Sequence, residues 1–349
     1  MNKTFIVTGA AGFLGNNIVR KLVESGEKDV RALVLEGDNT RSLENVGCAV
    51  YYGDVTNKRS LDEIFDVPAG NRLYVIHCAA VVYIKSGKNP KVREVNVGGT
   101  RNVMEKALEK HAKMVYVSSV HAIPEKPAGS VMEEVYDFSP DKVYGLYAKS
   151  KAECAAMVLD AAENRGLDAC IVHPSGIIGP GDFGRSHLTQ LIIDFCNRKL
   201  TACVKGGYDF VDVRDVADGV ISACYNGKKG NCYILSNKYI TVRQLLDTIS
   251  EASGCKKIKM VLPMWFARLT APLAETYYAI RRQPPLYTGY SLYTLRSNAN
   301  FSHRKADCEL GYKNTDFSKT VADTVEWLKA RGMIKLSSSR AKKKARQTR

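Results

Sequence analysis

Two side chains of this 349-residue chain have the types and spacing that proton transfer needs: Tyr147 and Lys151, four positions apart. On a helix this spacing places them on one face, about a turn apart. A free tyrosine has a pKa of about 10, so about a thousandth of it is phenolate at neutral pH. We expect the Lys151 ammonium to lower the pKa of Tyr147 and make it a usable acid and base. Chance also produces such pairs on surface helices, so the hypothesis needs support from other motifs.

Two hydroxyls, Ser118 and Ser119, end a strand-like apolar run that begins at Met114. The carboxyl ends of strands in a parallel sheet line the ligand crevice, so we expect both serines there. Ser119 is the residue that we expect to bond the reacting oxygen. The alternative is a serine pair that merely ends a strand and caps the next segment.

A glycine-rich turn, TGAAGFLG at Thr8–Gly15, follows the short apolar run at residues 5–7. Phe13 and Leu14 then begin a pattern of apolar residues at helical spacing. Gly9, Gly12 and Gly15 would allow the tight turn, the approach of a pyrophosphate and close packing of helix on strand. Strand, turn and helix in this order predict a dinucleotide site at the helix N-terminus, although a glycine-rich turn alone is weak support.

The alternation of apolar strands with helical segments predicts an α/β fold with a Rossmann-like, doubly wound parallel sheet. We expect strands near residues 4–8, 30–35, 48–52, 73–77, 113–118 and 169–173, and a further one at 232–235. Residues 1–178 plus about 206–235 are predicted to form the dinucleotide-binding domain. Residues 179–205 plus about 236–335 are predicted to form a smaller, discontinuous substrate lobe, and residues 336–349 a disordered basic tail. Asp215 is expected to cap a helix.

The order of the motifs resembles that of the extended short-chain dehydrogenase/reductases, in the NAD-dependent epimerase/dehydratase superfamily. The similarity covers residues 3 to 335 and is strongest to the branch of dihydroflavonol reductases and 3β-hydroxysteroid dehydrogenase-like proteins. Its motifs are TGAAGFLG, GDVTN at residues 53–57, HCAA at 77–80, NVGGT at 96–100, the two serines, YAKSK at 147–151 and HPSGIIGPGD at 173–182.

The resemblance implies roles for individual residues. Tyr147, Lys151 and Ser119 would be the catalytic set, and Asn96 would steady the helix that carries Tyr147. Asp54 would hold the adenine amino group, and Pro174 and Ser175 would lie against the nicotinamide. The cofactor-binding set would be Gly9, Gly12, Phe13, Leu14, Gly15, Glu36, Asp54, Val55, Cys78, Ala79, Ala80, Asn96, Ser118, Tyr147, Lys151, Pro174 and Ser175.

The expected activity is hydride transfer between a nicotinamide cofactor and a secondary alcohol or ketone. Glu36 follows the second predicted strand and can bond the adenosine 2′-hydroxyl, which favours NAD, while Arg41 keeps NADP open. Dehydratases of the family place an Asp-Glu pair after the active-site hydroxyl, where this chain has Val120 and His121. A sugar-nucleotide epimerase with tightly bound NAD remains an alternative, and a non-catalytic cofactor-sensing regulator is a more distant one.

The substrate is expected to be hydrophobic, steroid- or flavonoid-like. The predicted contacts are Tyr83, His121, Ile177, Tyr208 and Trp265, and Ile84, Phe183, Phe210 and Tyr287 are further candidates for pocket walls. Each of these residues could instead pack in the core. A sugar nucleotide would need cations at its diphosphate, for which Arg185, Arg214 and Arg281 are available.

The charge and composition exclude several other classes of protein. Six of the 15 net positive charges lie at Arg340–Arg349. This tail could also bind an anionic membrane or RNA. We expect no specific nucleic-acid partner and no metal. The apolar stretch at 260–280 is interrupted by Pro263, Arg268, Pro272 and Glu275 and so predicts no transmembrane span. With no signal peptide recognised, we expect reduced cysteines, a cytoplasmic location and a homodimer.

Overall fold

A seven-stranded parallel sheet organises the protein, whose computed structural model describes residues 2–83, 87–271 and 289–334. The strands are β1 (Lys3–Thr8), β2 (Asp29–Val34), β3 (Ala49–Tyr52), β4 (Arg72–His77), β5 (Lys113–Val117), β6 (Asp168–Pro174), β7 (Gly176–Ile178), β8 (Ala202–Val204), β9 (Gly207–Asp212), β10 (Cys232–Leu235), β11 (Lys238–Thr241) and β12 (Met260–Leu262). The helices are α1 (Phe13–Glu24), α2 (Pro90–Arg93), α3 (Gly99–Glu109), α4 (Leu146–Asn164), α5 (His187–Cys196), α6 (Val213–Asn226), α7 (Val242–Ser253), α8 (Gly289–Thr294), α9 (Arg304–Leu310) and α10 (Phe317–Ala330). Residues 264–271 are also helical.

The strand order of the main sheet is β3-β2-β1-β4-β5-β6-β10, and every neighbouring pair is parallel. The predicted Rossmann-like sheet is therefore confirmed. The chain leaves β1 toward β2 on one side and later returns to β4 on the other. A ligand crevice opens at such a switch point, outside the carboxyl ends of the strands.

Alternate residues of the central strands face two separate cores. Phe5 and Val7 of β1 pack with Ile18 and Leu22 of α1, together with residues of α6. Ile6 points to the other face, where residues of α3 and α4 cover the sheet. Because both faces are covered, these strands are nearly continuous apolar runs, as is typical of parallel sheets.

Two small sheets lie outside the main one. One has the order β11-β9-β7, and the other pairs β12 with β8. The first joins β11, from the predicted substrate lobe, to two strands of the predicted dinucleotide-binding domain. The division into a domain and a lobe thus stays a proposal.

The helix cap at α6 differs from the expectation. Asp212, not Asp215, is the N-cap residue, since its carboxylate accepts from the backbone N–H of Arg214 at 2.8 Å. Asp215 lies in the first turn and accepts from the backbone and hydroxyl of Thr315 instead. The Asp215 carboxylate therefore binds a loop that is distant in the sequence and does not cap the helix.

The glycine-rich turn requires its glycines because other backbone passes close to them. Gly9 has φ +65°, and a Cβ there would lie 2.8 Å from the Cα of Ala79. A Cβ on Gly15 would overlap the carbonyl oxygen of Gly9 and lie 2.9 Å from the Cα of Ala10. Helix α1 can therefore pack against β1 only with a glycine at position 15.

We predict that Gly15→Ala destabilises the protein by about 1–3 kcal/mol, the usual cost of overpacking a filled site. Gly98→Ala is the matched control: Gly98 has helical backbone angles, and a Cβ added there would meet no atom within 4 Å. The control should be neutral or stabilising by up to about 1 kcal/mol, because alanine is the better helix former. Urea unfolding followed by circular dichroism measures both, and equal stability of the two variants would contradict the close approach at Gly15.

Candidate active site

The crevice floor is built by Thr8 and His77, the last residues of β1 and β4. The Thr8 hydroxyl shares a 2.7 Å hydrogen bond with His77 Nδ1 and accepts from the backbone N–H of Ala79 at 3.2 Å. His77 Nε2 lies 3.0 Å from the Thr100 hydroxyl. Burial lowers the pKa of His77 to about 3, so this ring is neutral. The network holds the chain after β4, at Cys78–Ala80, beside the glycine-rich turn.

Tyr147, Ser119 and Lys151 come together at the carboxyl end of β5. Ser119 follows the strand, and its hydroxyl is near enough to the phenol of Tyr147, in the first turn of α4, to influence the pKa of that phenol. Lys151, one turn along α4, is buried; its ammonium donates to the Val117 carbonyl at 2.7 Å and lies 4.9 Å from the centre of the Tyr116 ring. The structure therefore places the three predicted side chains in one site.

The pKa of Tyr147 differs from the expectation. Burial raises it to about 12, partly offset by the hydrogen bond from Ser119. The same burial lowers the pKa of Lys151 to about 8. The expected lowering by Lys151 was wrong, because desolvation of the phenolate is the largest cause of the shift and the opposing effect comes from Ser119. Tyr147 is thus a neutral phenol at neutral pH.

Asn96 joins the loop after β4 to helix α4. Its side-chain oxygen accepts from the Val81 N–H at 2.7 Å, and its amide donates to the Val81 carbonyl at 3.2 Å and to the Ser150 hydroxyl at 2.9 Å. Ser150 in turn donates to the carbonyl of Tyr147 at 2.8 Å. Asn96 therefore fixes the turn of α4 that carries the phenol.

Aromatic rings enclose the space beside Tyr147. The Tyr208 hydroxyl lies 3.2 Å from His121 Nε2, and the two rings stack with centres 5.5 Å apart. The His121 ring is 6.3 Å from the Tyr147 ring and 5.7 Å from the Tyr290 ring. Burial lowers the pKa of His121 to about 4, so His121 is a neutral member of this wall. Both His121 and Tyr208 are among the predicted substrate contacts.

Sequence reasoning missed Tyr290. Its ring fills the space beside Gly145, where φ is +94° and a Cβ would overlap the ring. Its hydroxyl is buried without a hydrogen-bond partner in the part of the chain that the structure describes. Gly145, just before α4, could have indicated a close contact at this point. No local pattern, however, shows which distant residue fills the space that a side chain at position 145 would occupy.

Ser175 follows β6 and donates a hydrogen bond to Asp209 in β9. Asp209 also accepts from the Asn237 N–H at 3.1 Å, and burial raises its pKa to about 6. Asp209 was not predicted either, because the partner of Ser175 is supplied by the second sheet. The pair holds the backbone at Pro174 and Ser175 on the border of the crevice.

The residues fit a dinucleotide. Gly12 is the N-cap of α1 and has no side chain to occupy the first N–H groups, which remain suited to a pyrophosphate. The Ser118 hydroxyl is buried at the end of β5 with no partner among the described residues. Asp54 is oriented by the Thr56 N–H, which donates to its carboxylate at 2.8 Å, and Val55 packs against Gly99. Phe13, Leu14 and Gly15 form the first turn of α1, and Glu36 is exposed two residues after β2.

The remaining predicted residues lie in different places. Tyr83 is half-buried after β4, and Ile177 packs on the core beneath β7. Trp265 is exposed on the helical residues 264–271, which corrects its assignment to a pocket wall. Phe183 packs against Trp327 and Arg331, and Phe210 is buried near Phe317. Ile84, Arg281, Tyr287 and the tail at 336–349 fall outside the described residues.

Of the arginines predicted to bind a diphosphate, the two that the structure describes lie away from the aromatic wall, and Lys142 is a cation that lines the cleft there. Arg214 is bound by Asp212 and Asp323. Arg185 lines a separate open cleft with Arg41 and Arg331. The described part of the chain contains no cluster of three potential metal ligands and no helix long and apolar enough to cross a membrane. All ten cysteines are free thiols, and seven are buried.

Comparison with known proteins agrees with the geometry. Over 337 residues the chain is 33% identical to sterol demethylase protein B of Methylococcus capsulatus, with 95% of this chain and 100% of the relative covered. Over 340 residues it is 32% identical to the "Putative dihydroflavonol 4-reductase" of Synechocystis, with 96% and 97% covered. The crystal structure of gox2253 superimposes with a TM-score of 0.82 at 30% identity, covering 96% of this chain and 100% of that one. The model of the NAD-dependent epimerase/dehydratase family matches residues 5–235, and the chain belongs to that family.

Proposed function

We propose that the protein transfers a hydride between a nicotinamide cofactor and a secondary alcohol or ketone. The observation that carries the proposal is the proximity of the Tyr147 phenol to the Ser119 hydroxyl, with the buried Lys151 one turn along α4. When bound, the nicotinamide supplies or accepts the hydride. The side chains then have to hold the substrate oxygen and move one proton.

In the reduction direction, the Tyr147 phenol donates its proton to the carbonyl oxygen while Ser119 donates a hydrogen bond to the same atom. Tyr147 is protonated at neutral pH and so has the proton that reduction requires. In oxidation, Tyr147 accepts the proton of the substrate hydroxyl, and the Lys151 ammonium favours the phenolate. Lys151 is also the residue that we expect to hold the nicotinamide ribose.

The substrate that suits the site is a flat hydrophobic alcohol or ketone. A cleft beside His121 has an apolar and aromatic side, formed by Val120, Ile123, Met132, Tyr208, Tyr293 and Phe301, and a polar side, formed by Glu125, Lys142, Ser297 and Asn298. Apolar walls with a few hydroxyls recognise an apolar body that carries one or two oxygens. The resemblance to reductases of flavonoids and steroids points to the same class. Homodimer formation and a cytoplasmic location stay predictions.

We predict that Tyr147→Phe lowers turnover about 10²- to 10⁴-fold, because the variant has no proton to exchange. NAD affinity, measured by isothermal titration, should change little. Tyr225→Phe is the control, since its hydroxyl donates to Glu27 at a distance from the site and should leave turnover unaffected. The assay follows absorbance of reduced nicotinamide with steroid, flavonoid and aliphatic alcohols and ketones. Wild-type turnover retained in Tyr147→Phe would remove Tyr147 from the mechanism, and tightly bound NAD without net turnover would indicate an epimerase.

Asn96→Ala should lower kcat and destabilise the protein by about 2–4 kcal/mol, because three hydrogen bonds are lost and buried groups stay unpaired. Asn102→Ala is the comparison, since Asn102 donates to the carbonyls of Val55 and Thr56 on the adenosine side. We expect that variant to raise the KM for the dinucleotide and to preserve kcat. A loss of kcat of the same size in both variants would show that Asn96 has no specific role in positioning Tyr147.

We propose NAD as the preferred cofactor because Glu36 follows β2, where its carboxylate would repel a 2′-phosphate. Glu36→Ser should therefore improve the affinity for NADP relative to NAD about tenfold, or about 1.4 kcal/mol. Glu44→Ser removes an exposed carboxylate nearby and serves as the control. Isothermal titration with both dinucleotides provides the ratio. Tighter binding of NADP by the unmodified protein, reduced in Arg41→Ala, would overturn the assignment.

A further inference from the structure

The helical residues 264–271 bury their small apolar side chains and expose their large ones. Their small side chains, Ala267 and Ala271, are buried against Leu292 of α8. Their large apolar side chains face solvent: Trp265 is 68% and Leu269 is 70% exposed, and Phe266 is exposed beside them. A helix that served only the protein core would bury the large side chains and expose the small ones.

Strand β12, which precedes the helical residues in sequence, also has exposed apolar side chains. Met260 is 59% exposed and Val261 is also exposed. Together with Trp265, Phe266 and Leu269 they form what we call the apolar patch. Contiguous exposed apolar surface of this kind marks an interaction site more often than isolated exposed residues do.

The charged residues within the segment 254–271 are all cations. Residues 254–271 include Lys256, Lys257, Lys259 and Arg268, all exposed, and contain no acidic residue. The nearby Glu251 and Asp247 pair with Lys257 and Arg243. A second copy of this chain would bring these cations against cations, whereas an anionic surface would be attracted.

We propose that the apolar patch binds the surface of an anionic lipid bilayer, with Trp265, Phe266 and Leu269 inserted at the level of the headgroups and the lysines in contact with lipid phosphates. Tryptophan is enriched at this level of membranes, and each cation near an anionic surface strengthens binding. The described residues 254–271 include four exposed cations, so we place them on the membrane surface as an interfacial amphipathic element.

Helix α8 connects the apolar patch to the candidate active site. Leu292 packs against Ala267 and Ala271, whereas Tyr290 approaches His121 and Tyr293 lines the cleft. Binding through the patch would therefore hold the cleft close to the bilayer, where a hydrophobic substrate is concentrated. The membrane proposal itself requires only the exposed surface and its charge.

The first test is flotation of the full chain with vesicles of phosphatidylcholine, with and without phosphatidylserine. We expect binding to the phosphatidylserine vesicles, reduced about tenfold or more in the double variant Trp265→Ser, Leu269→Ser. The control, Tyr136→Ser with Tyr239→Ser, removes two exposed aromatic side chains elsewhere and should bind like the wild type. Absence of vesicle binding would overturn the proposal, as would equal binding of the two double variants.

The basic tail is a second possible source of membrane affinity, and the test separates it. The triple variant Lys342→Gln, Lys343→Gln, Lys344→Gln should bind vesicles more weakly than the wild type. Adding Trp265→Ser to this variant should weaken the binding further. The chain has two tryptophans, so Trp327→Phe leaves Trp265 as the only reporter. Its emission should shift to the blue and be quenched by brominated lipids. Unquenched Trp265 on bound vesicles would assign binding to the tail alone and overturn the proposal, and self-association that the patch variant abolishes would assign the surface to a second copy.

Discussion

The hydrogen bond from the Lys151 ammonium to the Val117 carbonyl holds the candidate site together. It joins helix α4 to the end of β5 and places Tyr147 beside Ser119. Burying an ammonium with one backbone partner and one aromatic face is unfavourable, and the lowered pKa of Lys151 records that cost. We therefore expect the Lys151 ammonium to donate hydrogen bonds to further groups when the cofactor is bound. Ribose hydroxyls can accept such bonds.

Neutrality is the common property of the groups around that ammonium. His77, His121 and His173 all have pKa values lowered by burial, and Tyr147 has a raised one. Lys151 is thus a charged group beside the neutral rings of His77 and His173. The neutral phenol of Tyr147 can donate its proton to a carbonyl oxygen, which agrees with the proposed reduction of a ketone.

The dinucleotide-binding part was predictable because its signals are local. The apolar run before Gly9, the spacing of Gly9, Gly12 and Gly15, and the four-residue step from Tyr147 to Lys151 each report structure within a few residues. The predictions that failed concern contacts between residues far apart in the sequence. Asp212, the residue just before α6, caps the helix, whereas Asp215 lies in the first turn and binds Thr315, a hundred residues away. Tyr290, Asp209 and the exposure of Trp265 likewise depend on contacts between segments far apart in the chain, and burial is the largest cause of the raised pKa of Tyr147.

The central claim is that Tyr147, Ser119 and Lys151 surround the reactive end of a bound dinucleotide, and a crystal structure of the complex with NAD tests it most directly. We expect the pyrophosphate on the glycine-rich turn at the start of α1, with the nicotinamide between Ser175 and Tyr147. The Lys151 ammonium should lie about 3 Å from a ribose hydroxyl. A nicotinamide bound away from Tyr147, or a Lys151 ammonium that contacts Val117 and never the ribose, would contradict the claim.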